Sequence, residues 1–298
     1  SNTGRRANRQ SAIPSGTAAV ATLEIFNVAH GQCSLISSDS GAHMLIDCGH
    51  NGGTGWRPSE MLARRGVRWL DELVITNCDE DHASDLPRLL ETVDIGCLTR
   101  NPTVSGNELY RLKASGGMGA GIASLVDMTM HFNQPAGSLA AFDGMTCRIF
   151  WNSYPYDFED ENNLSLVLVM RWPGRLGIPG FSILYGGDME REGWLRLLDR
   201  SDFRREMHDI NVFVASHHGR YNGYCPELFE WTGLQPDIFV VSDCGIQHAT
   251  QETIALYRHR ARGIEHNGTL RRVITTRRDG WIRFHIYDGR ARLLTSST

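Results

Sequence analysis

The chain has 298 residues, 41% of them hydrophobic and 21% charged, with a formal net charge of −4. That length can bury a large core, in one big domain or two small ones, and that charge excludes nucleic-acid binding driven by bulk electrostatics alone. No apolar run is long enough to span a bilayer and the N-terminus lacks a basic-then-apolar leader, so a cytoplasmic location without a membrane partner is expected.

Residues 1–20 are polar and small and read as a disordered lead-in, followed by a single domain over 21–298. Strands are predicted at 23–28 and 33–36 around the turn Ala29-His30-Gly31-Gln32, and a third at 44–47. A helix follows at 58–65, a buried strand at 73–76 and a helix at 85–92. The stretch 101–140, with Gly106, Gly116, Gly117, Gly119 and Gly121 around a helix, reads as an insertion covering one side of a site. Strands resume at 147–151, and 164–171 with 181–184 form a hairpin. A helix at 190–198 precedes buried strands at 212–215 and 238–241. A helix at 250–262 stops at Gly263, and strands at 272–275 and 281–286 close the chain. Many strands with interspersed helices predict two sheets between helix layers.

Seven scattered cysteines without a C-x-x-C pair point to reduced thiols rather than a disulfide framework or a thiolate zinc site. Lys113 is the only lysine, and over 258–298 ten arginines face three acids. Arginine grips phosphate through its planar fork, but such a run is also an ordinary solvated face.

Five apolar strands end in polar residues able to serve a metal ion. Ile46 leads to Asp47, and Ile75 leads to Thr76-Asn77-Cys78-Asp79-Glu80-Asp81-His82. Leu184 leads to Asp188, Val214 to His217-His218-Gly219, and Val241 to His248. Strand ends meeting on one rim give a rigid place for a site. Each piece also has a plainer reading: turn formers at Asp47 and Asp188, an acidic helix cap at 79–82, a surface histidine at His30. Tyr221 and Tyr224 either stack on a base or sugar or pack within their loop.

In this order the motifs resemble the metallo-β-lactamase superfamily, and within it the ComEC-type soluble domain of competence DNA uptake. The likeness spans about residues 22–287. It is carried by Asn27-Val28-Ala29-His30-Gly31-Gln32, Ile46-Asp47-Cys48-Gly49, the 76–82 turn, Asn162 through Leu168, Gly186-Gly187-Asp188, His217-His218-Gly219 and Thr276-Arg277-Arg278-Asp279-Gly280, with Gln247 through Glu252 a partial match. It implies an αββα sandwich of two mixed sheets flanked by helices. It also implies one divalent ion, zinc or manganese, on Asp81, His82, Asp188 and His218. Asn77 and Asp79 stand where the family carries histidines, so a second ion, magnesium or manganese, is expected to bind only weakly there. Asp188 or Asp79 would orient water, His217 or His248 would protonate the leaving group, and Asp47 would steady a ligand.

The expected activity is hydrolysis of phosphodiesters, first of all as a nuclease on DNA, with nucleic acid as partner. The alternatives are hydrolysis of a smaller phosphoester or nucleotide, and a scaffold or sensor whose catalysis has been lost, which Asn77 and Thr250 would favour.

Overall fold

The computed structural model describes residues 18–134, 142, 144–174, 180–244 and 247–296, without the side chains of 247–252. Most of the expected lead-in and the last part of the expected insertion therefore lie outside the described residues.

Two large mixed sheets face each other. The first has seven strands in the order Arg290–Thr295, Ile282–Tyr287, Ala21–Ile25, Cys33–Ser38, His43–Cys48, Glu72–Val74 and Leu98–Thr99. The second has six: Val273–Thr275, Ile238–Val241, Val212–Val214, Phe181–Tyr185, Val167–Trp172 and Thr146–Phe150. Alternating side chains decide which layer each strand feeds. Leu23, Ile25, Ile36, Met44 and Ile46 meet Leu168, Met170, Ile183, Val212 and Val240 between the sheets. Leu35, Leu45 and Leu73 point outward beneath Met61, Leu89, Leu109 and Leu125 of one helix layer. Val169, Leu184, Phe213 and Phe239 lie beneath Trp194, Phe203, Leu228 and Tyr257 of the other. Buried on both faces, the central strands read as continuous apolar runs. This is the αββα sandwich expected from the sequence.

The parallel strands position the site. His43–Cys48 runs parallel to Glu72–Val74, and Phe181–Tyr185, Val212–Val214 and Ile238–Val241 run parallel to one another. All five polar strand ends are C-terminal ends of these strands, where loops meet without crossing the core.

Several boundaries differ from expectation. The 101–140 stretch carries two helices, Gly106–Ala114 and Ala120–His131. The first opens with a capping box in which Ser105 and Glu108 satisfy each other's backbone N–H groups. The helix expected from 250 starts at Gln247. Trp281 is not the start of the last strand: Ile282–Tyr287 turns back into Arg290–Thr295 through Asp288-Gly289, a two-residue hairpin signal. A second unexpected hairpin, Ile264–His266 with Thr269–Arg271, turns at Asn267-Gly268, both with positive φ. In the Arg290–Thr295 strand, arginines at 290 and 292 masked the pattern that the turn residues announced.

Candidate metal centre

Asp81 and His82 lie in the short helix Glu80–Ala83, Asp188 follows Phe181–Tyr185, and His218 follows Val212–Val214. One ligand atom from each falls within 4.8 Å of the others. His82 Nε2 is 3.1 Å from Asp188 Oδ1, and His218 Nε2 is 3.4 Å from that oxygen and 3.2 Å from Asp81 Oδ2. Despite these approaches, His82 Nε2, His218 Nε2 and Asp188 Oδ1 have no aligned hydrogen-bond partner. The lone pairs turn toward a shared centre rather than toward one another.

The far sides of the imidazoles explain why. His82 Nδ1 is 2.8 Å from Asp47 Oδ2, and Asp47 is fixed in turn by the backbone N–H and hydroxyl of Thr76, at 2.7 and 2.5 Å. His218 Nδ1 donates to the Ser242 carbonyl at 3.1 Å. Both contacts anchor Nδ1 on the outer side and turn Nε2 toward the shared space, the ring orientation a metal-ligating histidine needs.

The backbone is bent to make this possible. Asp47, His217 and His218 all have positive φ, of 59°, 49° and 52°, a conformation uncommon for residues other than glycine and concentrated at functional sites. Gly31 and Gly49 allow a second close approach: a Cβ on either would collide with the Asp81 carbonyl oxygen. Those two positions let the Asp81–His82 helix press against the first sheet.

The electrostatics asks for positive charge. Burial alone would lower the His82 pKa, but Asp188, Asp47 and Asp81 outweigh it and hold the imidazole well above its ordinary value. His218 likewise overcomes burial through Asp188 and Asp81 and is pushed up to about 9. Asp188, although buried, is held well below the usual carboxylate range by His82 and His218. Two buried imidazoles and two carboxylates with bare inner atoms are a donor set that fits a divalent ion such as zinc or manganese.

The other expected residues sit differently. The Asp79 side chain makes no cap hydrogen bond; its Oδ1 is 2.5 Å from Lys113 Nζ, which is also 2.5 Å from Glu161 Oε1. Asn77 Nδ2 donates to Asn162 Oδ1 at 3.0 Å, while its own Oδ1 is buried without a partner. His217 lies beside the cluster, its ring centroid 6.3 Å from that of His218, with Nδ1 3.5 Å from Glu190 Oε1. Burial keeps its pKa low, against the pull of Asp188. The His248 side chain lies outside the described residues. His30 Nε2 is 2.6 Å from Cys244 Sγ.

Beyond Glu190 opens a cleft of about 560 Å³ lined by Tyr221, Asn222, Tyr224, Leu256 and Arg260 among others. Tyr221 is exposed on it, whereas Tyr224 packs on Phe229 and accepts a hydrogen bond from Arg260. Sequence reasoning missed Lys113, Glu161, Ser242 and Glu190. The one available signal was that Lys113 is the sole lysine in an arginine-rich chain.

No family model and no curated protein matches the sequence. Among solved structures the chain is similar to a diphosphatase from the PhnP family, at 10% identity and a TM-score of 0.41, covering 90% of this chain and 98% of that one. It is similar to a long-form RNase Z from yeast at 10% identity and a TM-score of 0.41, covering 92% of this chain and 49% of that one, so it spans about half the yeast enzyme. Among the described residues no helix is long and apolar enough to cross a membrane.

Proposed function

We propose that this protein is a metal-dependent hydrolase of phosphodiesters, of metallo-β-lactamase type, working in the cytoplasm with one divalent ion. The observation that carries this reading is the convergence of buried, unpartnered atoms from His82, Asp188 and His218 beside Asp81, with both outer imidazole nitrogens already engaged. Asp81, His82, Asp188 and His218 would hold the ion. When bound, it would make water a nucleophile near neutral pH and offset the charge that builds on a phosphoryl oxygen.

The remaining roles follow from what each side chain is free to do. Asp47 and Thr76 lock the His82 ring, and the Ser242 carbonyl locks His218. Asp79 is committed to Lys113, which leaves Asp188 as the carboxylate to orient water. His217, next to the cluster but outside it and lowered in pKa by burial, would take the proton of the attacking water and pass it to the leaving oxygen.

DNA is the first substrate to test, on the ComEC-type motifs and the arginine-rich end of the chain. A smaller phosphoester is the second reading, and two observations favour it. Arg260, Arg262, Arg271, Arg277 and Arg283 lie within 4 Å of Glu230, Asp237, Asp279, Asp243 and Glu24, at distances of 2.9, 3.4, 2.9, 3.7 and 2.8 Å, and so offer less to phosphate. The cleft beyond Glu190 also has the volume of a small-ligand pocket.

The test is to measure bound metal, then incubate the protein with linear DNA, single-stranded DNA and bis(p-nitrophenyl) phosphate in Mn²⁺, Mg²⁺ or Zn²⁺. Cleavage that depends on the ion and disappears in Asp81→Ala and Asp188→Ala supports the reading. Cleavage of the small diester alone selects the second substrate class. Activity that survives in both variants, or no cleavage with any ion, overturns it.

A further inference from the structure

We propose that Lys113 is a positioning residue that limits the site to one ion: its ammonium holds Asp79 against Glu161 and so fills a place that would otherwise take a second divalent cation. The inference rests on reading the neighbouring Asp81, His82, Asp188 and His218 cluster as an ion site.

Asp79 and Glu161 come from separate parts of the chain and converge on one nitrogen, each 2.5 Å from Lys113 Nζ. Two carboxylates brought that close to a single point need a cation between them. The lysine side chain is 12% exposed, against 46% for Asp79 and 31% for Glu161, so the ammonium is the enclosed partner. Burial opposes its charge, but Asp79 and Glu161 more than compensate and keep it protonated.

The segments around this clamp are also held. Lys113 lies in the last turn of Gly106–Ala114, whose start is closed by Ser105 and Glu108 and whose Leu109 is fully packed. The following helix is tied to the same turn, because the N–H groups of Gly121 and Ile122 donate to Glu80 at 2.8 and 3.0 Å. The two segments carrying the carboxylates meet a second time, through Asn77 and Asn162.

Asn77 supplies an independent observation. It is 1% exposed and its Oδ1 accepts from nothing, two residues before Asp79. A buried amide oxygen without a donor is costly and calls for an electropositive neighbour. With the ammonium removed, two carboxylates and this amide oxygen would remain on the facing segments. Such hard oxygen donors suit Mg²⁺ or Mn²⁺.

The experiment is equilibrium dialysis against Mn²⁺, with free ion read by electron paramagnetic resonance and folding checked by circular dichroism. The proteins compared are the native chain, Lys113→Met, which keeps the aliphatic stem, Lys113→Arg, Asp79→Asn and the double variant Lys113→Met/Asp79→Asn. One ion is expected in the native chain, Lys113→Arg and Asp79→Asn, two in Lys113→Met, and one again in the double variant. A folded Lys113→Met that still binds a single ion overturns the proposal, as does a drop in Asp79→Asn, which would make Asp79 a ligand already. Should Lys113→Met not fold, Lys113→Gln is read in its place, with two ions expected and a single ion overturning the proposal. If the native chain binds none while Lys113→Met binds one, the inference about Lys113 stands and the ion reading of the neighbouring cluster fails.

Discussion

His82 and His218 turn their outer nitrogens to Asp47 and Ser242 and leave their inner ones without an aligned partner, whereas Asp79, three residues before His82, and Glu161 are both closed on Lys113. The two regions use the same raw material, acids brought together from separate segments. One is preorganised and open, because both of its imidazoles are held from their outer nitrogens while the inner ones have no aligned partner. The other is satisfied from within the chain. The difference teaches that a motif residue stays open to a ligand only when nothing closer claims its charge.

The largest effect should come from breaking the open region outright. Asp188→Ala is expected to lose the bound ion and with it all ion-dependent cleavage, read by metal analysis of dialysed protein beside the cleavage assay. Retained ion would mean that the atoms converge for another reason.

A smaller effect is expected one contact further out. Asp47→Asn keeps the shape but no longer anchors the Nδ1–H of His82 as a carboxylate does, and should weaken ion affinity by about 10–100-fold. An unchanged affinity in calorimetric titration would reduce Asp47 to a turn former.

The smallest concerns a clamp with no ion beside it. Glu24 is held by Arg65 and Arg283 at 2.5 and 2.8 Å. Burial would raise its pKa, but the two guanidinium groups outweigh that and leave it lowered. A carboxyl whose folded pKa lies below its unfolded one adds stability above the unfolded value and loses it as the pH falls through the folded one. Glu24→Gln should therefore cost about 1–2 kcal/mol near neutral pH, flatten the loss of thermal stability on acidification below the ordinary glutamate range, and leave the ion count unchanged. A changed ion count would show that clamps act on the site through the whole sheet, and the contrast between the two regions would lose its meaning.

The sandwich was legible because both of its periodicities are written locally: alternation in Leu23 and Ile25, and continuous apolar runs in 212–214 and 238–241. That Asp81, His82, Asp188 and His218 follow buried strands was also legible, whereas their selection from the other polar strand ends came from the family resemblance. The pairing of Asp79 was not legible. Its partner is 34 residues away on a helix that glycines obscured, and only the Ser105 and Glu108 pair announced that helix. The Arg290–Thr295 strand was readable from Asp288-Gly289 but hidden by arginines on its alternating positions. Local pattern thus predicts elements and strand ends, while the pairing of charges depends on which distant element arrives alongside.

The solitary lysine makes the closed region unusually easy to watch. With no other side-chain amine in the sequence, an acylating reagent such as an N-hydroxysuccinimide ester has a single side-chain amine to report on beside the α-amino terminus. Its reaction rate at Lys113, followed by peptide mass spectrometry, would track how often the helix carrying that amine swings away from its acids.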